Sequence, residues 1–282
     1  MRKAVLAVAL AAALSAAVPA MAADNEPHDD GRKGLKVTGL TQDQRLVQFR
    51  TNTPDRVSSS GTVSGLVGDT RLVGIDYRVQ NGRLYGVGNA GGVYTLNTSS
   101  AAATKVSQLS IALQGTDFGV DFNPAADRLR IISDTGQNLR HNVNVATGGT
   151  LADGTLTTPP ATTPTLGVTG AAYTNNDLDA ATATSLFDID TTGDRVVLQS
   201  PANSGTLAPT GNLGVNAGPS AGFDIYFSPR EGTNCGFAAL AAATGGSHRF
   251  YEVNPLTGAA RDAGAFPATR QVFDIALPLN QT

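Results

Sequence analysis

Four aspartates hold the same place in a short motif that recurs along the chain. Asp76, Asp121, Asp224 and Asp274 stand in G-I-D-Y, G-V-D-F, G-F-D-I and V-F-D-I. Carboxylates that converge repel one another unless a cation or hydrogen-bond donors satisfy them, and oxygen donors suit Ca²⁺. The four are therefore candidate metal ligands, and Ca²⁺ is the one cofactor considered. We favour the alternative that each accepts hydrogen bonds from backbone N–H groups of the next repeat, which explains the repetition directly.

A basic group is the second candidate site. Its members are Arg128, Arg130, Arg140 and His141. Arg128 and Arg130 lie two residues apart on a predicted strand, so both face the same side and could bind a carboxylate or phosphate. The favoured alternative is that these arginines pair with nearby carboxylates, those of Asp121, Asp127 or Asp134.

Two further motifs match known chemistry only in part. Gly218–Gly222 reads G-P-S-A-G, but a nucleophile elbow needs a strand before the serine and a helix after it. A strand follows Ser220, which we interpret as a turn residue. Asp188–Asp194 has the spacing of the front half of a calcium loop, yet Gln199 stands where the bidentate glutamate belongs. We interpret Thr191–Asp194 as a hairpin turn.

The elements that position these residues are short strands. Between Phe118 and Asn142, apolar residues alternate with polar ones or form β-branched runs, and Asn123-Pro124 and Asp134–Gly136 break the pattern. No apolar residues recur at helical spacing here. The stretch predicts three antiparallel strands joined by two turns.

The strand openings repeat along the chain. They occur at Gly74, Gly119, Gly170, Gly222 and Val272, about 45 to 52 residues apart. A second series of strand motifs, interpreted as the third strand of each unit, contains Val93–Asn97, Leu139–Val143, Leu186–Asp190 and Phe250–Asn254. Units of this size with about four strands predict an all-β protein, a β-propeller of about five blades. Six blades would be possible if Thr150–Thr165 contains strands, and a β-sandwich is the alternative fold.

Unpaired motifs at the two ends of the chain indicate how the ring closes. Leu46–Arg50 has no opening strand before it, and the opening strand Val272–Leu277 has no unit after it. We predict that the C-terminal strand completes the blade begun by N-terminal residues, which removes exposed sheet edges. The propeller domain is expected to span residues 37–280.

The beginning of the chain predicts export. Residues 1–22 combine Arg2 and Lys3, an apolar run and an A-x-A site at Ala20–Ala22, as a signal peptide does. Residues 23–36 are predicted to form a disordered leader. The run is too short to span a membrane comfortably, so no stable insertion is expected. With a net charge of -3 and no clustered basic residues beyond the group above, a nucleic-acid partner is not expected. The lone Cys235 cannot form an internal disulfide.

Several motifs resemble those of a bacterial family catalogued as domain of unknown function 4394. They are G-V-D-F-N-P, D-R-L-R-I-I-S-D-T-G-Q-N-L-R, G-A-A-Y-T-N, S-L-F-D-I-D and F-D-I-A-L, spread over about residues 37–280. The resemblance implies an extracytoplasmic all-β domain of unassigned activity, similar to other secreted propellers, and supplies no catalytic residues.

The function expected from the sequence is binding rather than catalysis. We expect a monomeric, exported ligand-binding or scaffold module in the periplasm or outside the cell. Its small-molecule or surface partner would contact one end of the central channel, where blade loops meet. The alternative is a metal-dependent hydrolase or lactonase of the propeller type.

Overall fold

The computed structural model describes residues 34–179 and 181–281. The predicted signal peptide at 1–22 and most of the predicted leader at 23–36 lie outside the described residues. Twenty β-strands and one short 3-10 turn at Ala202–Ser204 form the secondary structure of the described part. In chain order the strands are β1 (Lys36–Thr41), β2 (Arg45–Arg50), β3 (Thr53–Thr62), β4 (Leu72–Arg78), β5 (Arg83–Gly88), β6 (Gly92–Leu96), β7 (Ala103–Gln108), β8 (Phe118–Asn123), β9 (Arg128–Ser133), β10 (Asn138–His141), β11 (Thr150–Ala152), β12 (Val168–Tyr173), β13 (Leu186–Asp190), β14 (Arg195–Gln199), β15 (Leu207–Asn212), β16 (Ala217–Ser228), β17 (Thr233–Ala242), β18 (Arg249–Val253), β19 (Ala260–Ala265) and β20 (Val272–Ala276).

The strands form five four-stranded antiparallel sheets, the blades of a propeller. Blades 1 to 4 are β4–β7, β8–β11, β12–β15 and β16–β19, and the shared blade has the order β20-β1-β2-β3. The opening strands β4, β8, β12, β16 and β20 contact one another in succession, and β20 contacts β4. These five inner strands therefore surround one axis, which confirms the predicted β-propeller and makes the opening strand the innermost strand of each blade.

The number of blades is five in the part of the chain that the structure describes. Thr150–Ala152, in the segment considered as a source of a sixth blade, is the outer strand of blade 2 and pairs with β10. The six-blade and β-sandwich alternatives are therefore wrong.

The shared blade closes the ring as predicted. β20 pairs antiparallel with β1, with Gly39 opposite Ile275 and Thr38 opposite Ala276. On its other side β1 pairs with β2, where Val37 lies opposite Phe49. The two ends of the chain thus form one sheet.

The prediction for the second series of motifs is wrong in one blade. Leu186–Asp190 was interpreted as a third strand, but it pairs with β12 and is the second strand of blade 3. Alternation of apolar residues identifies a strand, whereas the position of that strand within the blade, second or third, depends on pairing between distant residues.

The hydrophobic core lies between adjacent blades. One cluster joins Phe187 of blade 3 to Phe223 of blade 4, and another joins Phe250 of blade 4 to Phe49 and Ile275 of the shared blade. Each blade buries both faces because it packs against two neighbours, which explains why inner strands such as β4 and β12 are buried along their whole length. This packing fixes the inner strands around the axis.

Candidate functional site

The four repeated aspartates lie on inner strands and link each blade to the next. We call Asp76, Asp121, Asp224 and Asp274 the axial carboxylate cluster. An inner strand is a sheet edge, so some of its N–H groups have no partner within their own blade. One carboxylate oxygen of each aspartate accepts a hydrogen bond from such a group. The donors are Phe122 N to Asp76 Oδ2 (2.7 Å), Tyr173 N to Asp121 Oδ1 (3.1 Å), Leu277 N to Asp224 Oδ2 (2.6 Å) and Ile75 N to Asp274 Oδ2 (2.7 Å). These are the backbone hydrogen bonds favoured from the sequence.

The aspartates also converge on one another. Asp76, Asp121 and Asp224 each offer one oxygen to a group in which all three atoms lie within 4.8 Å. The side chains of the cluster are between 1% and 4% exposed. Two oxygens, Asp121 Oδ2 and Asp224 Oδ1, are buried and accept no hydrogen bond.

The environment disfavours negative charge on the cluster. Burial, followed by the Asp224 carboxylate, raises the pKa of Asp76 well above its usual range. Burial and then Asp76 do the same to the pKa of Asp121. Burial raises the pKa of Asp224 to about 6 and that of Asp274 well above its ordinary value. Backbone N–H donors offset these shifts only in part.

Blade 3 is the exception in the ring. Its inner strand has Ala172 where the other four have aspartate, and Ala172 is fully buried among apolar side chains that include Phe187 and Phe223. The carboxylates therefore come from four of the five blades.

The basic group predicted as a ligand site is largely engaged inside the protein. Arg130 is buried between blades 2 and 3 and donates to four partners, Tyr173 Oη (3.3 Å), Asn138 Oδ1 (2.7 Å), Asp153 Oδ2 (2.7 Å) and Asn203 Oδ1 (2.8 Å). Arg140 Nε donates to the other oxygen of Asp153 at 2.9 Å. The carboxylate partner of both is thus Asp153, which differs from the three candidates named from the sequence.

The other two members of the basic group do not extend this network into an open site. Arg128 Nη1 donates to the backbone carbonyl oxygen of Asp127 at 2.7 Å. His141 is fully buried, with Nε2 2.8 Å from Ser107 Oγ and Nδ1 3.0 Å from Thr150 Oγ1. Burial lowers the pKa of His141 to about 4, so the ring is neutral near pH 7.

A concave pocket lies at the end of the channel where the inner strands begin. We call it the mouth pocket; it has a volume of about 170 Å³. Its lining residues are Gln42, Gln44, Arg71, Val73, Thr116, Asp117, Phe118, Ser220 and Phe273. They come from blades 1, 2, 4 and the shared blade, so the pocket exists only in the closed ring. It lies at an end of the central channel, and the ligand expected there from the sequence stays a prediction.

Hydrogen bonds hold the rim of the mouth pocket. Gln44 has a left-handed backbone, with φ of 60°, and its amide spans two blades by accepting from Leu72 N (2.6 Å) and donating to Leu72 O (3.2 Å). The backbone N–H of Arg71 donates to Asn89 Oδ1 at 3.1 Å, while its side chain is exposed. Among the described residues, none hydrogen-bonds or ion-pairs with the guanidinium of Arg71.

The mouth pocket was not found by the sequence analysis. Arg71 and Asp117 each stand one residue before an inner strand, outside the repeated motif, so periodicity gave no signal for them. A search of the residues that precede each opening strand would have found both. Ser220 does line the pocket, but it lies within β16 and no histidine stands beside it among the described lining residues. The interpretation of Ser220 as a turn residue is therefore wrong, because the strand begins before it, at Ala217.

Comparison with known families identifies the family to which the chain belongs. The family described as "Domain of unknown function (DUF4394)" matches residues 45–276. The chain belongs to this family. No curated protein sequence matches it. Among the described residues, no helical segment combines the length and apolar character needed to cross a bilayer.

Solved structures share only a distant likeness with this member of the DUF4394 family. Kuenenia stuttgartiensis hydrazine synthase is 8% identical with a TM-score of 0.42, over 73% of this chain and 53% of that one. Myxococcus xanthus glutaminyl cyclase is 14% identical with a TM-score of 0.41, and the match covers 84% of this chain and 83% of that one. A Bacteroides thetaiotaomicron protein of unknown function is 13% identical with a TM-score of 0.45, and the match covers 88% of this chain and 65% of that one. The chain thus spans about half of the first protein's length and about two-thirds of the third's.

Proposed function

We propose that the protein is an exported binding module that holds a small carboxylate-bearing molecule in the mouth pocket. The observation that carries this proposal is Arg71, whose guanidinium lines a concave pocket and makes no hydrogen bond or ion pair with another described residue, although its charge acts on the Asp117 carboxylate of the same lining. Guanidinium groups bind carboxylates through paired, charge-assisted hydrogen bonds. Export is supported by the basic, apolar and A-x-A pattern of residues 1–22.

Most of the remaining lining residues fit such a ligand; the exception is the carboxylate of Asp117, whose Oδ2 accepts a hydrogen bond from Thr116 Oγ1 at 3.1 Å. Val73, Phe118 and Phe273 provide apolar surface, and Gln42 and Ser220 provide polar groups. A few polar groups around an apolar wall is the usual composition of a ligand pocket. At about 170 Å³ the volume suits a small molecule, because drug-sized ligands occupy pockets of roughly 300 Å³ or more.

The alternative of a metal-dependent hydrolase has less support. Val73 and Phe118 line the pocket, and the nearest carboxylates along the same strands, Asp76 and Asp121, come three residues later. That separation is about 10 Å along a strand. Asp274 directly follows the pocket-lining Phe273, but it is buried and its Oδ2 accepts a hydrogen bond from Ile75 N at 2.7 Å. Because all of these carboxylates are buried, none of them presents an exposed metal ligand to a substrate in the mouth pocket.

Benzoate and benzamide form a matched pair of probes for this proposal. Both present a phenyl ring to Phe118 and Phe273, but only benzoate carries a charge for Arg71. We expect benzoate to bind the purified protein in calorimetric titration and to raise its melting temperature, and benzamide to do neither. Arg71→Gln should weaken benzoate binding by about tenfold or more, the usual size of a charge-assisted hydrogen bond.

Arg83→Gln is the control, since Arg83 is an exposed arginine at the start of β5 and does not line the pocket. It should leave benzoate binding unchanged. Equal binding of benzoate by wild type and Arg71→Gln, or equal binding of benzoate and benzamide, would contradict the proposal.

A further inference from the structure

The axial carboxylate cluster has acceptor atoms that the protein does not satisfy. In Asp121 and Asp224 one oxygen accepts a backbone N–H of the next blade, and the other, Asp121 Oδ2 or Asp224 Oδ1, is buried without a hydrogen bond. An unsatisfied buried acceptor costs free energy, and the cost is larger when the group is charged. Both oxygens are available to a bound ligand.

The residues around these two oxygens favour a cation as the ligand. Asp76, Asp121 and Asp224 each bring an oxygen within 4.8 Å of the other two, and Asp274 is close enough to affect two of them. Among the described residues, no lysine or arginine is one of the groups that act most strongly on these four carboxyls. The charge of the cluster therefore has no basic side chain to offset it.

The donor set points to calcium rather than to zinc or magnesium. The group contains carboxylate oxygens only, whereas Zn²⁺ sites in proteins use mainly histidine and cysteine. Three buried carboxylates suit Ca²⁺ better than Mg²⁺, which is usually bound through one or two carboxylates and keeps several of its waters. Ca²⁺ also accepts irregular geometry, as expected of ligands from strands whose positions are fixed by blade packing.

We propose that the axial carboxylate cluster binds one Ca²⁺ ion, with Asp76, Asp121 and Asp224 as ligands, and that the ion joins the inner strands of blades 1, 2 and 4 at the axis. Asp274, one residue beyond the pocket-lining Phe273, completes the negative surround. The site is separate from the mouth pocket, so this proposal does not depend on the proposed ligand. Its role is structural, because the ligands are buried.

Metal analysis of the full-length protein tests the site directly. We expect about one equivalent of calcium in protein purified without chelator. For a titration, protein unfolded in guanidinium with EDTA is refolded with CaCl₂, with MgCl₂ or without metal, so that a buried site can load. Ca²⁺ should raise the melting temperature and Mg²⁺ should do so less. Tb³⁺ in place of Ca²⁺ should emit on tyrosine excitation, since Tyr77 and Tyr173 adjoin the cluster.

The double variant Asp121→Asn, Asp224→Asn keeps the shape of both side chains and removes two charges. It should weaken the Ca²⁺ response at least about tenfold. Asp188→Asn is the matched control, because Asp188 is a fully buried aspartate without hydrogen bonds that lies outside the cluster. It should keep the wild-type response.

Two results would overturn the proposal. One is a wild-type protein that contains no calcium and melts at the same temperature after refolding with Ca²⁺ or with EDTA. The other is a Ca²⁺ response that is lost equally in the double variant and in Asp188→Asn. If the double variant does not fold, the calcium content and the Tb³⁺ emission of the wild type still decide the question.

Discussion

Individual side chains near the axis connect blades rather than stabilise their own sheets. Asp76 and Asp274 are each hydrogen-bonded to an inner strand of a neighbouring blade. The sequence showed this set because each copy stands at the same place in a repeated motif, and a repeated position in a closed ring must converge. Arg71 could not be found in that way, because it lies in a loop that differs from blade to blade. Its importance follows from loops of distant sequence meeting at one pocket.

His141 provides a prediction of pH dependence at the scale of one residue. Its pKa of about 4 lies below the unfolded value of 6.5, so the stability linked to its neutral ring is fully present above pH 6.5 and is lost as the pH falls towards 4. Relative to His141→Gln, the wild type should lose about 3 kcal/mol of unfolding free energy between pH 7 and pH 4.

Denaturant unfolding of both proteins at the two pH values measures this difference. The aspartates contribute equally to the pH dependence of both proteins. Subtracting the variant's loss of unfolding free energy from that of the wild type therefore isolates the contribution of His141. Parallel loss of stability in wild type and His141→Gln would show that the ring is not kept neutral by burial.

At the scale of elements, the inner strands lie so close together that some positions accept only glycine. A Cβ at Gly119 of β8 would lie 2.8 Å from Ala171 N and 2.9 Å from Gly170 C, both backbone atoms of β12. Backbone cannot move aside without shifting a blade. The repeated glycine before the aspartate motif is therefore explained by packing of neighbouring blades.

Gly119→Ala should destabilise the protein by about 2 kcal/mol or more, because overpacking against a rigid neighbour forces the strands apart. Gly86→Ala on β5 is the control: its Cβ would meet only the ends of the Leu72 and Leu96 side chains, at 3.0 Å. These ends can rotate, so a cost of about 1 kcal/mol or less is expected. Thermal and denaturant unfolding measure both, and equal costs would contradict the difference in packing.

The order of strands within a blade was less predictable than their existence. The motif at Leu186–Asp190 resembles third strands elsewhere, yet it follows a long connection from Tyr173 and pairs with β12. Local pattern records which face of a strand is buried, and both the second and third strands of a blade are buried on two faces. Whether such a strand is the second or the third of its blade is decided only by the strands with which it pairs.

At the scale of the whole molecule, the ring is closed by a sheet made from both ends of the chain. Ile275 on β20 packs with Phe49, Phe250 and Leu277 in the cluster between blade 4 and the shared blade. The sequence predicted this closure because a leftover motif at each end needed a partner. The blade count followed from the same reasoning once Thr150–Ala152 was assigned to blade 2.

Ile275→Ala should cost about 2–4 kcal/mol, as expected for a buried isoleucine. Because closure couples all blades, we expect the loss to appear as faster hydrogen exchange in the inner strands of every blade. Mass spectrometry of exchanged peptides measures this. Faster exchange confined to β20 and β1, with β8 and β12 unchanged, would show that closure is a local event.

The shared blade also sets the order of events while the chain is being made. β1, β2 and β3 emerge from the ribosome first, but β1 keeps an unpaired edge until β20 follows more than two hundred residues later. An open edge of that kind can pair with another chain. A nascent chain that stalls before Val272 therefore exposes the unpaired edge of β1. This edge is covered only after β20 has been synthesised.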